Sequence, residues 1–141
     1  MRLDAAAMRA RVAGARSAHL ATVAAEGQPH LVPITFVVDA DHLWTAVDHK
    51  PKSTRDLRRL RNIAANPKVS VLVDHYDDDW SRLWWVRLDG VARVLTGDAR
   101  PGHAVELLRG RYPQYRETPP AGPLIEVAIH TWRGWAAGAH S

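Results

Sequence analysis

The sequence predicts a mainly β chain with helices, an α+β fold built on antiparallel hairpins, and three observations point there. Six or seven short segments rich in Val, Ile, Leu, Thr and Trp are bounded by Gly, Pro, Asn and Asp turns. The links between the first three segments are too short for a crossover, which leaves antiparallel pairing. One strongly periodic helical stretch interrupts the series after the third strand. In 141 residues such hairpins close into a barrel or fold into a sandwich. No repeat or linker divides the chain, so residues 1–141 are expected to form one domain, and a 46% hydrophobic share is ample for its core.

The elements follow in order. Residues 3–15 form an amphipathic helix through Leu3, Ala7, Met8, Val12 and Ala15. His19–Ala24 is a strand, closed by the turn Ala25-Glu26-Gly27, and His30–Val38 is a second. Asp39-Ala40-Asp41 leads into a third strand at Leu43–Val47. A basic loop and a helix then run from Asp48 to about Ala65, where Asn66-Pro67 stops the helix. Val69–Tyr76 and Leu83–Leu88 are strands separated by an acidic turn. Asp89-Gly90 marks a tight turn or bulge before Val91–Thr96. A short helix covers Gly102–Arg111. A proline-rich connection leads to a last strand at Leu124–Ile129, and 130–141 is a tail carrying Trp132 and Trp135.

Composition narrows the function classes. With no cysteine there can be no disulfide, thiolate zinc site or iron–sulfur cluster. No apolar run approaches the ~20 residues needed to span a bilayer. The Arg-bearing N-terminus lacks a signal-peptide core, so a soluble cytoplasmic protein is expected. A net charge of +4 favours anionic partners. Nucleic acid is not the preferred one, because the aromatic residues are not interleaved with the basic ones as a stacking platform requires. His75 stands beside Asp74, Asp77, Asp78 and Asp79, but consecutive aspartates in a turn are ordinarily solvated and no second histidine lies at ligand spacing. No metal is expected. No histidine pairs recognisably with a serine nucleophile, so hydrolysis is not expected either.

The most informative stretch is K-P-K-S-T-R-D-L-R-R-L-R-N-I-A-A-N-P-K, residues 50–68. A helix start offers unpaired N–H groups and the positive end of a dipole, which attract phosphate. Lys50, Lys52, Ser53, Thr54 and Arg55 at that start make an anion cradle. The plainer alternative is a solvated loop with an ordinary cap, since Ser53-x-x-Asp56 is a capping-box pattern. Pro33 interrupts a strand and removes a ladder donor, which marks an edge or bulge, or backbone freed to meet a ligand. Trp84 and Trp85 are consecutive in a strand and so point to opposite faces, one into the core. Trp80, following the acidic turn, is a candidate to line a site.

These words and their order resemble the pyridoxamine 5′-phosphate oxidase-like split β-barrel family, and within it the actinobacterial branch that uses the deazaflavin coenzyme F-420. The matching words are A-T-V-A-A-E-G-Q-P-H-L-V-P-I-T-F at 21–36, K-P-K-S-T-R-D-L at 50–57, N-P-K-V-S-V-L-V-D at 66–74 and D-D-W-S-R-L-W-W-V-R-L-D-G-V-A at 78–92. The resemblance covers roughly residues 5–130. It implies an antiparallel split β-barrel like that of FMN-binding proteins, a homodimer, and a cofactor in a groove between subunits. It implies that Lys50, Lys52, Ser53, Thr54 and Arg55 hold the cofactor's phosphate, that Val32, Pro33, Ile34 and Thr35 lie along its ring, and that Trp80 sits near the groove. It further implies an oxidoreductase passing hydride to or from an unsaturated or quinone-like small molecule, with FMN as the alternative cofactor and a non-catalytic F-420 carrier as the alternative role. One departure stands out. Relatives that oxidise pyridoxamine phosphate carry a basic pair near the C-terminus, whereas the tail H-T-W-R-G-W-A-A-G-A-H-S has only Arg133, so vitamin B6 oxidation is not expected. No catalytic side chain is nominated.

If the basic bend grips the phosphate, Lys52→Ala combined with Arg55→Ala weakens cofactor binding by about 1.5–3 kcal/mol per lost contact and leaves the melting temperature alone. Unchanged affinity in a direct titration would put the cradle elsewhere.

Overall fold

The computed structural model describes residues 1–47 and 56–138. Helix α1 (Ala5–Gly14) precedes strands β1 (Ala18–Val23), β2 (Pro29–Ile34), β3 (Val37–Asp39) and β4 (His42–Ala46). Helix α2 (Asp56–Ala65) is followed by β5 (Lys68–His75), β6 (Trp84–Leu95), helices α3 (Gly102–Arg111) and α4 (Pro113–Glu117), and β7 (Leu124–Ala136). The strands form one sheet in the order β2-β1-β5-β6-β7-β4-β3, with every pairing antiparallel.

That order forces the sheet to curl. Seven flat strands would span roughly 29 Å at ~4.8 Å per gap. Yet the two edge strands, β2 and β3, are joined only by Thr35 and Phe36, a link that reaches about 10 Å at most. The edges must therefore come together, which is the split β-barrel expected. The single strand expected at His30–Val38 is accordingly two strands, serving opposite ends of one sheet.

Tyr112 holds that seam. Its hydroxyl accepts a hydrogen bond from the Phe36 backbone N–H at 2.9 Å and lies 3.0 Å from the Phe36 carbonyl and 2.9 Å from the Arg16 carbonyl. The phenol thus substitutes for the strand partner that the break removes. Arg111 donates to the Ala15 carbonyl beside it, so the α3 C-terminus is stitched to both the seam and the end of α1.

Alternating residues fill the barrel. Leu20 of β1, Val69, Val71 and Val73 of β5, and Val86 and Leu88 of β6 are all buried in the main core. Each such side chain contributes about 1.5–3 kcal/mol by leaving water. Helix α1 adds Met8 and Val12, and its start is capped by Asp4, whose Oδ1 accepts from the Ala7 N–H at 2.8 Å. Arg9 anchors the same helix to the β3–β4 turn through Asp41 (2.7 Å) and the Ala40 carbonyl (2.8 Å). A smaller cluster of Trp44, Ala46, Leu124, Ala104, Leu108 and Tyr112 lies under α3.

Two expectations about the C-terminal half are corrected. Leu83–Leu88 and Val91–Thr96 belong to one strand, β6, which runs through Asp89-Gly90 without a turn; the bulge, the other reading of this dipeptide, lies opposite it, in β7. The tail 130–136 is not a tail but the second half of β7, paired with β6 up to Ala136. At the bulge Asp89 pairs with Thr131 and Gly90 with Ile129, leaving His130 as the extra residue. It shifts the inward-facing set from Ile125, Val127 and Ile129 to Gly134 and Ala136. A strict alternation template loses the strand there. The proline-rich connection also contains α4, started by Pro113 at its first position.

Gly90 is required by space. A Cβ there would stand 2.4 Å from the Ala128 carbonyl oxygen and 2.8 Å from Val127 Cγ1. Gly90→Val should cost about 1–3 kcal/mol or more and lower Tm by roughly 3–10 °C in calorimetry. Tyr112→Phe strands the Phe36 N–H in the seam and should cost about 1–3 kcal/mol. A wild-type denaturation midpoint for that variant would show that the hydroxyl does not hold the seam.

Candidate functional site

The seam also makes a pocket. β2 is a sheet edge, so alternate backbone groups along it lack a ladder partner, and Pro33 sits where a missing N–H costs least. Pro33, Ile34 and Thr35 form one wall of a cavity of about 250 Å³. Ala46 at the end of β4, Arg59 of α2, Tyr115 of α4 and Ser17 ahead of β1 supply further walls. The Thr35 and Tyr115 hydroxyls lie 3.3 Å apart. A pocket with two hydroxyls, a guanidinium and a free strand edge can hydrogen-bond a flat ring that carries both donors and acceptors.

The residues expected to lie along the ring are not all at the pocket, although Val32 and Ile34 share one face of β2. Pro33, Ile34 and Thr35 reach the pocket, while Val32 packs on the main core. Lys50, Lys52, Ser53, Thr54 and Arg55 lie outside the described residues. Their described flanks bracket the pocket, since Ala46, two residues before the gap, and Arg59, four residues after it, both line it. Positive potential is also felt nearby. Burial, and then the charges of Arg58 and Arg59, hold the His30 imidazole on β2 below its ordinary pKa.

Ser17, Ala46 and Tyr115 were not singled out in the sequence. Only Tyr115 had a legible signal, the Tyr112-x-x-Tyr115 spacing that sets two phenols on one side of a helical turn. Their rings meet edge to face at 5.8 Å, so the seam tyrosine positions the pocket tyrosine.

A larger groove, about 770 Å³, opens on the outer face of β2, β1, β5, β6 and β7. Leu31, Leu72, Trp85 and Trp135 line it, and Leu31 is 67% exposed on this face. His19, which lies opposite Pro33 across the β1–β2 pair, lines the groove too, so groove and pocket adjoin. Trp84 packs on the main core and stacks on His75 at 6.2 Å. Trp80 stands outside both cavities, 68% exposed, with its indole N–H 3.4 Å from the Tyr76 hydroxyl. The neighbouring aspartates serve the local chain: Asp79 accepts from Ser81 N and Oγ, and Asp77 from Asp79 N.

Comparison with known proteins agrees with this architecture. A 5a,11a-dehydrotetracycline/5a,11a-dehydrooxytetracycline reductase of Streptomyces rimosus is 34% identical over 96 residues, covering 64% of this chain and 65% of that protein. The match thus spans just under two thirds of that relative's length. An FAD-binding protein of Mesorhizobium loti superposes with a TM-score of 0.68 at 22% identity, covering 95% of each chain. The heme storage protein HutZ of Vibrio cholerae superposes with a TM-score of 0.72 at 18% identity, covering 96% of this chain and 95% of that one. At such identities the two structures speak for the fold alone, and one fold evidently hosts different cofactors. The family model for pyridoxamine 5′-phosphate oxidase matches residues 5–136, nearly the whole of the described barrel. The chain belongs to the pyridoxamine 5′-phosphate oxidase family.

Proposed function

We propose that the protein is an oxidoreductase of this family that uses coenzyme F-420, bound between two copies of the chain, to reduce or oxidise an unsaturated or quinone-like small molecule. The observation that carries the reading is the pocket at the free edge of β2, flanked by both ends of the basic segment. Its size supports the dimer. At about 250 Å³ it falls short of the ~300–1,000 Å³ of ligand sites, so a tricyclic ring needs a further wall. The adjoining apolar groove offers a face on which a second copy would supply one.

The donor set suits the group. The edge of Pro33–Thr35 and the hydroxyls of Thr35 and Tyr115 would hold the ring, and Lys50, Lys52, Ser53, Thr54 and Arg55 its phosphate. Arg58 and Arg61 lie exposed on α2 and suit the anionic oligoglutamate tail of F-420, which FMN lacks. When bound, a deazaflavin supplies hydride transfer in two-electron steps with little reaction toward oxygen. The chain's own part is to bind, orient and keep water out. The Streptomyces relative is named for reducing a dehydrotetracycline, which supports an unsaturated acceptor.

Titration of the apoprotein with F-420 and with FMN separately should give the tighter Kd for F-420, by about tenfold or more. Tighter FMN binding would transfer the function to the FMN-dependent alternative, and no binding of either would overturn the site. Reduced F-420 on the protein should reoxidise with enones, quinones or dehydrotetracyclines; binding without turnover across that set would mark a carrier.

A further inference from the structure

We propose a second binding site, for a planar organic anion, in the cavity between the C-terminal end of α1 and the β5–β6 hairpin. This cavity measures about 400 Å³, within the ordinary range of ligand sites. Its floor is aromatic. The Trp84 ring lies there with the His75 ring stacked on it at 6.2 Å and 21°. The Arg11 guanidinium stands 5.7 Å from the Trp84 ring centroid, and Arg16 lines the same cavity from the segment that follows α1.

The charges select the ligand. Arg11 makes no ion pair among the described residues and donates to the Ala7 carbonyl at 3.2 Å. The Arg16 side chain is exposed and has no ion pair among the described residues. Asp74 is the one carboxylate in the lining, and His75 has Asp77 at 3.9 Å outside the cavity. Two guanidinium groups against one lining carboxylate leave a net cation beside a flat π surface. A flat ring bearing a carboxylate, sulfonate or enolate meets both needs, stacking on Trp84 and His75 while its charge faces Arg11 and Arg16.

Ser17 lines this cavity and also the pocket at Pro33–Thr35. The two spaces therefore adjoin, so a molecule seated here can extend toward the ring pocket. Its assignment as the seat of the substrate's anionic part rests on the oxidoreductase reading above. The existence of the site does not.

The test needs no cofactor. The full chain is titrated with 8-anilinonaphthalene-1-sulfonate and with N-phenyl-1-naphthylamine, the same ring system without the sulfonate, so that any merely apolar surface binds both. The sulfonate should bind about tenfold more tightly. Arg11→Gln with Arg16→Gln should bring the ratio near one, leaving the neutral probe's Kd and the melting temperature unchanged. Arg16→Gln alone, a change on an exposed side chain, should cut the ratio about threefold, which keeps the test valid if the double variant fails to fold. An unchanged ratio in the Arg16→Gln variant, or equal weakening of both probes, overturns the site. Displacement of the bound sulfonate by 1-naphthoate but not by triglutamate is the expected order, which separates a planar substrate anion from a flexible cofactor tail. The reverse order overturns the assignment to planar anions.

Discussion

The closure of the barrel at Thr35–Phe36 is the constraint on which the rest of the molecule depends. Two edges of one seven-stranded sheet are contributed by adjacent stretches of chain, so their separation is fixed by two residues of backbone. A break in a ladder leaves buried N–H and C=O groups to be satisfied, and burial makes their loss costly. Tyr112 supplies the missing partner from a helix some 76 positions away in sequence. That one hydroxyl couples the C-terminal helices to the seam, and through the neighbouring Arg16 carbonyl to the end of α1.

The pocket is a by-product of that closure. Where the strand turns from one sheet edge to the other, neither edge covers it, and the space is walled by whatever the closure brings near. Those walls come from five separate parts of the chain: Ser17, the β2 end, Ala46, Arg59 and Tyr115. The same closure gives the sheet a broad outer face. Its inward residues are valines and leucines, whereas Leu31, Leu72, Trp85 and Trp135 look outward around the larger groove. Apolar patches of that kind on a sheet face mark candidate interaction surfaces, and this is the face that the dimer proposed above would use.

Charge is distributed to match. Basic groups gather where α2 begins and where α1 ends, on either side of the pocket, while the acidic turn at Asp77–Asp79 folds on itself through its own backbone. Arginines near aromatic faces, Arg9 over Trp132 at 4.4 Å and Arg11 beside Trp84, recur around the barrel. They shield two of the six tryptophans, while Trp80 and Trp135 stay exposed. The unusual aromatic composition thus has a packing use, seen in Trp44 under α3 and Trp84 and Trp132 against the main core.

Local signals alone determined a good part of this. Alternating valines specified β5, the turn at Glu26-Gly27 specified the first hairpin, and Asn66-Pro67 specified the end of α2, because each depends on residues within a few positions of one another. Pro33 could be nominated for the same reason, since a proline inside a strand declares an edge, whereas Ile34 and Thr35 followed only from the family resemblance. Tertiary structure alone decided the split of one apolar run into β2 and β3, the continuation of β7 through the tryptophan-bearing tail, and the arrival of Tyr115, Ser17 and Ala46 at the pocket. The physical reason is common to all three. A strand's face and extent are set by its partner, a single extra residue such as His130 reverses the alternation, and closure of the sheet joins residues that no local pattern relates.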